Sequence, residues 1–578
     1  MLEIKKLISG AVADCVQQMN PQASLDAEAV QNMLEYPPDP KMGDLALPCF
    51  KLSKLLRNAP VKIAGELAAK LSVPAVARAE AVNGYLNIFL DDGYLADRIV
   101  PEVLTKGTKY GAPDFGEGKT VVLDYSSPNL AKPFHIGHLG TTVIGHSLKK
   151  LHEFAGYKCV GINYVGDWGT QFGKLIVAFK KWGDREAVEQ NGIDALVDLY
   201  VRINNAISGN AEQGIPADPA LADEARAEFL KMEQGDEENL ALWRWLVEKT
   251  LKANDEIYHQ LGITFDSYKG ESFYTDKMPA QIQKLREREL LKIDDGASIV
   301  DLEAYGMPPC LILKRDGSSL YPTRDIAAAV YRKDTYDFDK AIYVTSAGQS
   351  LHFAQWFKVV ELMGYDWADK LVHVPYGTVS INGAKLATRT GNVILLRDLF
   401  ALAIDKVAAI MEEKNPNLED KNKIAEAVGV GAIVFYYLSN NRIRDINFIM
   451  EDALSFDGNT GPYVQYTYAR TCSVLTKSGE YDRGAKLTVT VPEEAELVKV
   501  ISRFEETVRE AIDAYEPSVI TRYILDLAGS YNRFYHNCSI LGAENEAIKN
   551  TRLALTEAAK TVLGNAFDLI CLAKTEKI

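Results

Sequence analysis

The chain has 578 residues, with 47% hydrophobic and 25% charged side chains, which excludes an intrinsically disordered protein and predicts roughly three to five domains. No run of 18 apolar residues occurs, so no membrane-spanning helix and no membrane partner are predicted. The seven scattered cysteines, never spaced as C-x-x-C, argue against a disulfide framework or a cysteine-rich zinc site and favour the cytoplasm. The net charge of −15 disfavours nucleic acid as a partner unless a local basic face exists.

The first 115 residues mix helical and strand patterns, which predicts a separate N-terminal α+β domain. A helical pattern covers 61–71, and the aromatic and β-branched stretch 81–90 predicts a strand after a glycine turn. The glycine-rich passage 107–118 is typical of a linker, although an ordinary surface loop has the same composition. We therefore place the first domain boundary near residue 115.

A β-α-β unit opens the next region. The apolar run 120–125 is typical of a buried parallel strand, a polar loop follows, and a helical pattern covers 136–154 before a second strand pattern over 158–164. Ligands bind at the carboxyl ends of the strands in open α/β sheets, so the polar loop is a candidate site.

The remaining chain divides into a mixed part and a helical part. An acidic helical insertion covers about 184–262, and from Leu399 onward the pattern is almost wholly helical, with a glycine-rich interruption at 456–462. Further strand patterns lie near 311–313, 340–344 and 371–375. The predicted domains are 1–115, 116–398 and 399–578.

The polar loop ends in a helix start that carries two histidines, His135 and His138, with Gly137 between them and Lys132 before them. Histidines three residues apart can share one side of a helical turn, and the glycine lets a flat ring or a phosphate approach the backbone. A helix N-terminus also favours anions, so the loop suits ATP. An isolated pair is more often two ordinary polar histidines, and a metal site would need a third ligand that the spacing does not supply.

A second motif, Tyr321-Pro-Thr-Arg-Asp325, begins a helix, because proline suits the first helical turn. A carboxylate beside a phenol can receive a guanidinium, which prefers planar, charge-assisted partners. Taken alone, the acid is more often a residue that is stabilised by the helix dipole at the N-terminal end.

A third motif, the loop 383–392, places Lys385 and Arg389 between glycines. Such a loop can close over a polyphosphate and neutralise charge on departing pyrophosphate. In isolation the same residues would be a solvated turn. In the C-terminal half, Tyr463, Tyr466 and Arg470 follow the glycine-rich interruption, and such residues can stack on splayed single-stranded bases, although most aromatics there are expected to pack in a helical core.

Taken together, these motifs resemble class I aminoacyl-tRNA synthetases and, more narrowly, the arginyl-tRNA synthetase family. His135-Ile-Gly-His138 stands as the HIGH signature of the class, and Gly166-Asp-Trp-Gly169 and Tyr321–Asp325 match blocks of the arginine enzymes in the same order. The loop 383–392 looks like the KMSKS loop in a variant form, with Thr388 where a second lysine is usual. Lys132 is interpreted as supplying the missing charge.

The resemblance implies a Rossmann-type catalytic core with a helical insertion, an α+β N-terminal domain that binds the tRNA elbow, and an all-α C-terminal anticodon-binding domain. It implies that arginine reacts with ATP, with Mg²⁺ beside it, to give arginyl-adenylate, which then acylates the 3′-terminal adenosine of tRNA(Arg); a monomer is expected. The implied residues are Asp124, Ser127, Asn129, His138, Tyr321, Asp325 and Gln349 for arginine; His135, Gly137, His138, Lys385 and Arg389 for ATP; His135, His138, Lys132, Lys385 and Arg389 for catalysis; and Tyr463, Tyr466 and Arg470 for tRNA.

Two other functions are weighed against this one. Another HIGH-type enzyme, such as the cysteine-specific synthetase, is expected to need a Cys/His zinc site, and the cysteine spacing offers none. A non-catalytic tRNA-binding paralogue is expected to have lost His135, His138 or Asp325, and the chain retains all three.

Overall fold

The computed structural model describes residues 1–578 except 131, 133, 212, 316, 318–319, 382–383 and 386–393, and of Ala384–Lys385 it describes the backbone alone. The KMSKS-like loop with Arg389 and the side chain of Lys385 therefore lie outside the described residues. Within the described ranges no helix is both long and apolar enough to span a bilayer.

The N-terminal domain packs helices on a three-stranded antiparallel sheet of order β1-β3-β2. The second and third strands form a hairpin in which Asn83 and Gly84 both have positive φ, 49° and 84°, as the tightest hairpin turns require. The elements are α1 (Leu2–Met19), α2 (Ala27–Gln31), β1 (Leu45–Pro48), α3 (Ser53–Leu56), α4 (Pro60–Lys70), β2 (Val76–Val82), β3 (Tyr85–Leu90) and the connecting helix α5 (Asp92–Lys106).

The central region is built on a four-stranded parallel sheet of order β10-β9-β4-β5. Its elements up to the end of the helical insertion are β4 (Thr120–Asp124), α6 (Leu139–Phe154), β5 (Lys158–Ile162), α7 (Thr170–Trp182), α8 (Arg185–Asn191), α9 (Ile193–Ser208), α10 (Ala220–Glu233) and α11 (Glu237–Gln260). The later elements are α12 (Met278–Glu287), β6 (Leu291–Asp294), β7 (Ala297–Val300), β8 (Cys310–Leu313), α13 (Tyr321–Tyr336), β9 (Lys340–Ser346), α14 (Ser350–Leu362), β10 (Leu371–Tyr376), β11 (Val379–Ile381) and β12 (Ala384–Lys385).

The strand order of this sheet reverses between β4 and β9. The chain passes from β4 to its neighbour β5 on one side, and returns at β9 on the other side before reaching β10. At such a point the connections after β4 and β9 leave in opposite directions and open a crevice at the carboxyl ends of the strands. The sheet thus positions a site beside Asp124, the last residue of β4.

One predicted strand belongs to a different sheet. Residues 310–313 form β8, as the strand pattern predicts, but β8 pairs with the hairpin β6–β7 in a small antiparallel sheet of order β6-β7-β8. That hairpin is absent from the sequence-based prediction. Its Asp295-Gly296 turn, with φ values of 45° and 79°, is the local signal that would have revealed it.

The C-terminal region is a helical bundle, as the pattern after Leu399 predicts, and it also contains one short strand that the pattern does not predict. Its elements are α15 (Leu396–Lys414), α16 (Lys421–Leu438), β13 (Ile446–Phe448), α17 (Met450–Ala453), α18 (Gly461–Ser478), α19 (Pro492–Ser502), α20 (Phe504–Asp513), α21 (Ser518–Asn537) and α22 (Glu546–Leu569). The aromatic side chains Tyr468, Tyr531 and Phe534 are buried in the bundle, as expected for most aromatics of this region.

A polar cluster joins the two ends of the chain. The Tyr36 hydroxyl donates to Glu506 at 2.6 Å, and the Lys5 ammonium lies 3.1 Å from the same carboxylate. The Tyr36 ring lies between two cations, with Lys5 at 4.1 Å and Arg503 at 4.3 Å from the ring centre. Burial lowers the pKa of Lys5, and Glu506 opposes that shift. The N-terminal domain is thus docked on α20 of the helical bundle.

Candidate active site

A cleft of about 580 Å³ opens at the carboxyl ends of β4 and β9, where the strand order reverses. His138 lines this cleft, whereas His135 and Gly137, which lie on the same turn, do not. The structure brings together, in the lining of this one cleft, the predicted residues Asp124, Ser127, Asn129, Lys132, His138, Tyr321, Asp325 and Gln349.

The floor of the cleft is an ion pair between Asp124 and Arg332. The Arg332 guanidinium lies 2.8 Å from the Asp124 carboxylate, and both side chains are almost fully buried. The Ser127 hydroxyl donates to the other carboxylate oxygen at 2.7 Å and accepts from the Tyr164 backbone N–H at 3.0 Å. Burial raises the pKa of Asp124, and Arg332 and Ser127 oppose the rise. Ser127, with φ of 46°, stands in the left-handed region, which turns the chain sharply after β4.

The α13 wall of the cleft carries Tyr321 and Asp325, one helical turn apart. Tyr321 is 61% exposed, so its phenol is open to a ligand. One carboxylate oxygen of Asp325 lies 2.6 Å from His352 Nε2 on α14. Gln349, just before α14, is also exposed at the cleft.

Two further charged residues stand at this end of the cleft. Glu271 lines the cleft and accepts from the Arg324 guanidinium at 2.6 Å. Burial raises the pKa of Glu271 to about 7, while Arg324 opposes the rise and the negative charge of Asp325 adds to it. A cation that entered between these acids would favour the ionised form of Glu271.

The histidine turn fixes the protonation pattern of both imidazoles. The Gly137 backbone N–H donates to His135 Nδ1 at 3.0 Å, and the His135 backbone N–H donates to His138 Nδ1 at 3.1 Å. Burial and the charge of Lys132 lower the pKa of His135 to about 4, and burial lowers that of His138 to about 3. Each ring is therefore neutral near pH 7, and because Nδ1 accepts, the proton is on Nε2. Each Nε2–H is a donor suited to an anionic oxygen.

The described ends of the KMSKS-like loop are tied to the histidine turn. Before it, β11 and β12 pair through Ser380 and Lys385. After it, His135 forms an isolated bridge with Leu395, and the Leu396 backbone N–H donates to the Phe134 carbonyl at 3.2 Å. The predicted partners Lys385 and Arg389 thus belong to a segment whose described flank lies beside His135.

A second group of predicted residues lies in the helical bundle. The Arg470 guanidinium lies between the rings of Tyr466 and Tyr535, 5.0 and 4.7 Å from their centres, and these rings are 44% and 37% exposed. Asn532 connects this group to Tyr463 by donating to its hydroxyl at 3.0 Å. Tyr466, Arg470 and Tyr535 line a groove of about 680 Å³.

Sequence reasoning missed Glu271, Arg332 and His352, which line the same cleft as the predicted residues. Glu271 lies in a short turn after a long insertion, where no local motif marks it. His352 is three residues after Gln349, one helical turn along, and this spacing is the local signal that could have indicated it. Among the residues that the structure places, no group of three or more His, Cys, Asp or Glu side chains is arranged to hold a metal ion.

Three family models match consecutive parts of the chain. Residues 2–90 match the arginyl tRNA synthetase N terminal domain, 99–450 match the class I (R) tRNA synthetase catalytic domain, and 464–578 match the DALR anticodon binding domain.

Individual relatives match over nearly the full length. The chain is 49% identical to the arginine–tRNA ligase of Alkaliphilus metalliredigens over 94% of this chain and 95% of that protein, and 49% identical to that of Clostridioides difficile over 98% and 99%. Among solved structures, the arginyl-tRNA synthetase of Thermus thermophilus superposes with a TM-score of 0.81 at 26% identity, covering 98% of this chain and 99% of that one.

Proposed function

This chain belongs to the arginyl-tRNA synthetase family, and from that premise we propose how its own residues perform the reaction. The protein is an ATP-dependent arginine–tRNA ligase, which activates arginine and charges tRNA with it. The observation that carries the assignment of roles is the cleft at the strand-order reversal, because one cavity gathers predicted residues from β4, α13 and the start of α14.

The arginine side chain is proposed to enter between Tyr321 and Asp325, with Glu271 as a further acid at the same end. A guanidinium presents its N–H groups in a plane and pairs with carboxylates by short, charge-assisted hydrogen bonds. Tyr321 is open, and the pKa of Glu271, raised to about 7 by burial, lets this acid ionise when the cation arrives.

The amino-acid end of arginine is proposed to lie over Asp124, Ser127, Asn129 and Gln349. This places the substrate carboxylate toward the histidine turn, since His138 lines the same cleft. Arg332 holds Asp124 at 2.8 Å and so positions the acid that receives the α-amino group.

ATP is proposed to bind along the histidine turn, with Gly137 leaving room for it. The substrate carboxylate attacks the α-phosphorus, the bond to pyrophosphate breaks, and negative charge shifts toward the leaving phosphates. The Nε2–H groups of His135 and His138 are donors for the phosphate oxygens, and the cations of Lys132, Lys385 and Arg389 stabilise the charge as it moves. The enzyme needs to supply positioning and electrostatic stabilisation and no covalent nucleophile.

Mg²⁺ is proposed to accompany ATP and to neutralise phosphate charge when bound. We propose that phosphate oxygens and water supply most of the ligands of this ion, as is usual for Mg²⁺ bound with a nucleotide.

The tRNA is proposed to contact both outer domains. Tyr466 and Arg470 line a groove of the helical bundle where exposed rings can stack on unpaired bases of the anticodon loop, and Tyr463 is linked to this group through Asn532. The 3′-terminal adenosine would reach the catalytic cleft and accept arginine, first on its 2′-hydroxyl. We also propose domain boundaries near residues 115 and 398, which limited proteolysis would test. We further propose that the protein is a monomer, which light scattering would test, and that it is cytoplasmic, which cell fractionation would test.

A pyrophosphate-release assay with arginine, ATP and tRNA tests the assignment of roles. We expect release that depends on arginine and is lost in His138→Ala and Asp325→Ala, and tRNA that becomes charged in parallel. A matched substitution outside the cleft, His259→Ala on the exposed end of α11, should leave the rate within twofold. Arginine-independent release, or full activity in both cleft variants, would favour another site.

A further inference from the structure

We infer that His352 is a positioning residue that holds the Asp325 carboxylate in place while leaving its negative charge available to the arginine guanidinium. The inference rests on the proposed role of Asp325 and adds a residue that determines specificity through it. His352 stands in the first turn of α14, and its Nε2 lies 2.6 Å from Asp325 Oδ2.

The partners of the three cleft carboxylates are what distinguish Asp325. Asp124 is paired with the Arg332 guanidinium at 2.8 Å, and Glu271 is paired with the Arg324 guanidinium at 2.6 Å. Each of these acids already has a permanently positive partner within the protein. Asp325 is instead held by the His352 imidazole, a hydrogen-bond donor that, unlike a guanidinium, does not carry a positive charge in every protonation state.

The geometry leaves Asp325 with room for a substrate. A carboxylate has about four lone-pair sites, and the histidine uses one of them on Oδ2. The remaining sites can accept two parallel N–H groups from a guanidinium. Both side chains are partly buried, with 26% of His352 and 20% of Asp325 exposed, which reduces competition from water for the hydrogen bond that orients the carboxylate.

The inference predicts that the charge of the residue at position 352 matters more than its shape. His352→Gln keeps an N–H donor and carries no charge, His352→Phe removes the donor and keeps a ring beside Phe353, and His352→Lys installs a cation. We expect the dissociation constant for arginine, measured by calorimetry on the full-length protein, to rise less than about threefold for Gln, roughly 10- to 100-fold for Phe, and by more than about 100-fold for Lys. The ATP KM in aminoacylation should stay within twofold in all three variants.

Several controls separate this role from a merely structural one. The thermal midpoint of each variant reports on folding. His259→Lys, at the exposed end of α11, is the matched charge change away from the cleft, and it should alter neither the dissociation constant for arginine nor the ATP KM. In an Asp325→Asn background, His352→Phe should raise the dissociation constant for arginine by less than about twofold further, because the side chain at position 325, through which His352 acts, has lost its charge.

Each outcome decides between readings. Equal arginine affinities for the Gln and Lys variants would overturn the inference, as would a parallel rise of the arginine and ATP KM values. A full additional loss in the Asp325→Asn background would show that His352 acts independently of Asp325. If one variant does not fold, the other two still carry the comparison. If Asp325→Asn alone left the affinity for arginine unchanged, the proposed role of Asp325 would be wrong. If Asp325→Asn weakened arginine binding but no substitution at position 352 did, only the positioning role of His352 would be wrong.

Discussion

Replacing Glu271 by glutamine should remove a proton release that accompanies arginine binding. Burial raises the pKa of Glu271 from 4.5 to about 7, so the acid is mostly protonated in the free enzyme at pH 6. A guanidinium in the cleft favours the carboxylate and lowers that pKa, so binding expels the proton.

The amount of proton release can be worked out from these values. With a pKa of about 7 in the free enzyme, roughly 90% of Glu271 is protonated at pH 6. If the bound cation lowers the pKa to ~5, about 0.8 proton is released at pH 6 and about 0.1 at pH 8, and arginine binds roughly 10-fold more tightly at pH 8 than at pH 6.

Titration calorimetry in two buffers of different ionisation enthalpy measures this release. The Glu271→Gln variant is the control, because it cannot titrate and should lose the pH-dependent part of the release. A release that is the same at pH 6 and pH 8, or that persists in the variant, would refute the reasoning.

The same residue affects the stability of the free enzyme with a definite sign. Its pKa is raised on folding, so its favourable contribution is fully present below pH 4.5 and is lost as the pH rises to about 7. The free energy of unfolding should fall by on the order of 3 kcal/mol across that window relative to Glu271→Gln, as measured by denaturant melts.

Four other expectations follow from the cleft and the tRNA surface. Asp325→Ala should weaken arginine binding by roughly 2–5 kcal/mol and remove discrimination against lysine and citrulline; an unchanged arginine KM in aminoacylation would assign recognition to another acid. Lys132→Ala should lower kcat by ~10²–10³-fold and raise the ATP KM by a smaller factor, and Thr388→Lys in that background should recover part of the lost rate. Single-turnover arginine activation within a few-fold of the parent would instead show that Lys132 is only a solvated charge. Arg332→Met should lower the free energy of unfolding by about 3–5 kcal/mol, because Asp124 stays buried without its partner, and adding Asp124→Asn should restore part of that stability. Equal free energies of unfolding for the parent and Arg332→Met in denaturant melts would contradict this. Binding of tRNA, with about 5 phosphates neutralised, should fall with salt at a log–log slope on the order of −4 to −5, and a flat response in filter binding would indicate a mainly apolar contact.

The sequence predicted the parts of the site that local motifs mark. His135 and His138 follow a strand and open a helix, so strand, loop and spacing predict one phosphate-binding turn, and the fold brings both histidines onto one turn after that strand. Tyr321 and Asp325 are one helical turn apart, which local spacing alone places on one face.

The remainder depends on long-range packing, which no local pattern records. Glu271 reaches the cleft because the chain returns to the sheet after the helical insertion, and Arg332 meets Asp124 across 208 positions of sequence. The strand 310–313 shows the same limit, because its composition predicts a strand but does not say which sheet it joins. Pairing partners and buried ion pairs are fixed by topology.

The docking of the first domain on the last also constrains the order in which the protein can be completed during translation. Lys5 and Tyr36 precede their shared partner Glu506 by 501 and 470 residues. At ~5–20 residues per second, a ribosome needs roughly 25 to 100 s to make the intervening chain. During that interval the Tyr36 ring lacks both Arg503 and Glu506, and the face of the N-terminal domain around it is open to solvent and to chaperones. A nascent chain that stalls within the catalytic region therefore displays a surface that the finished enzyme covers.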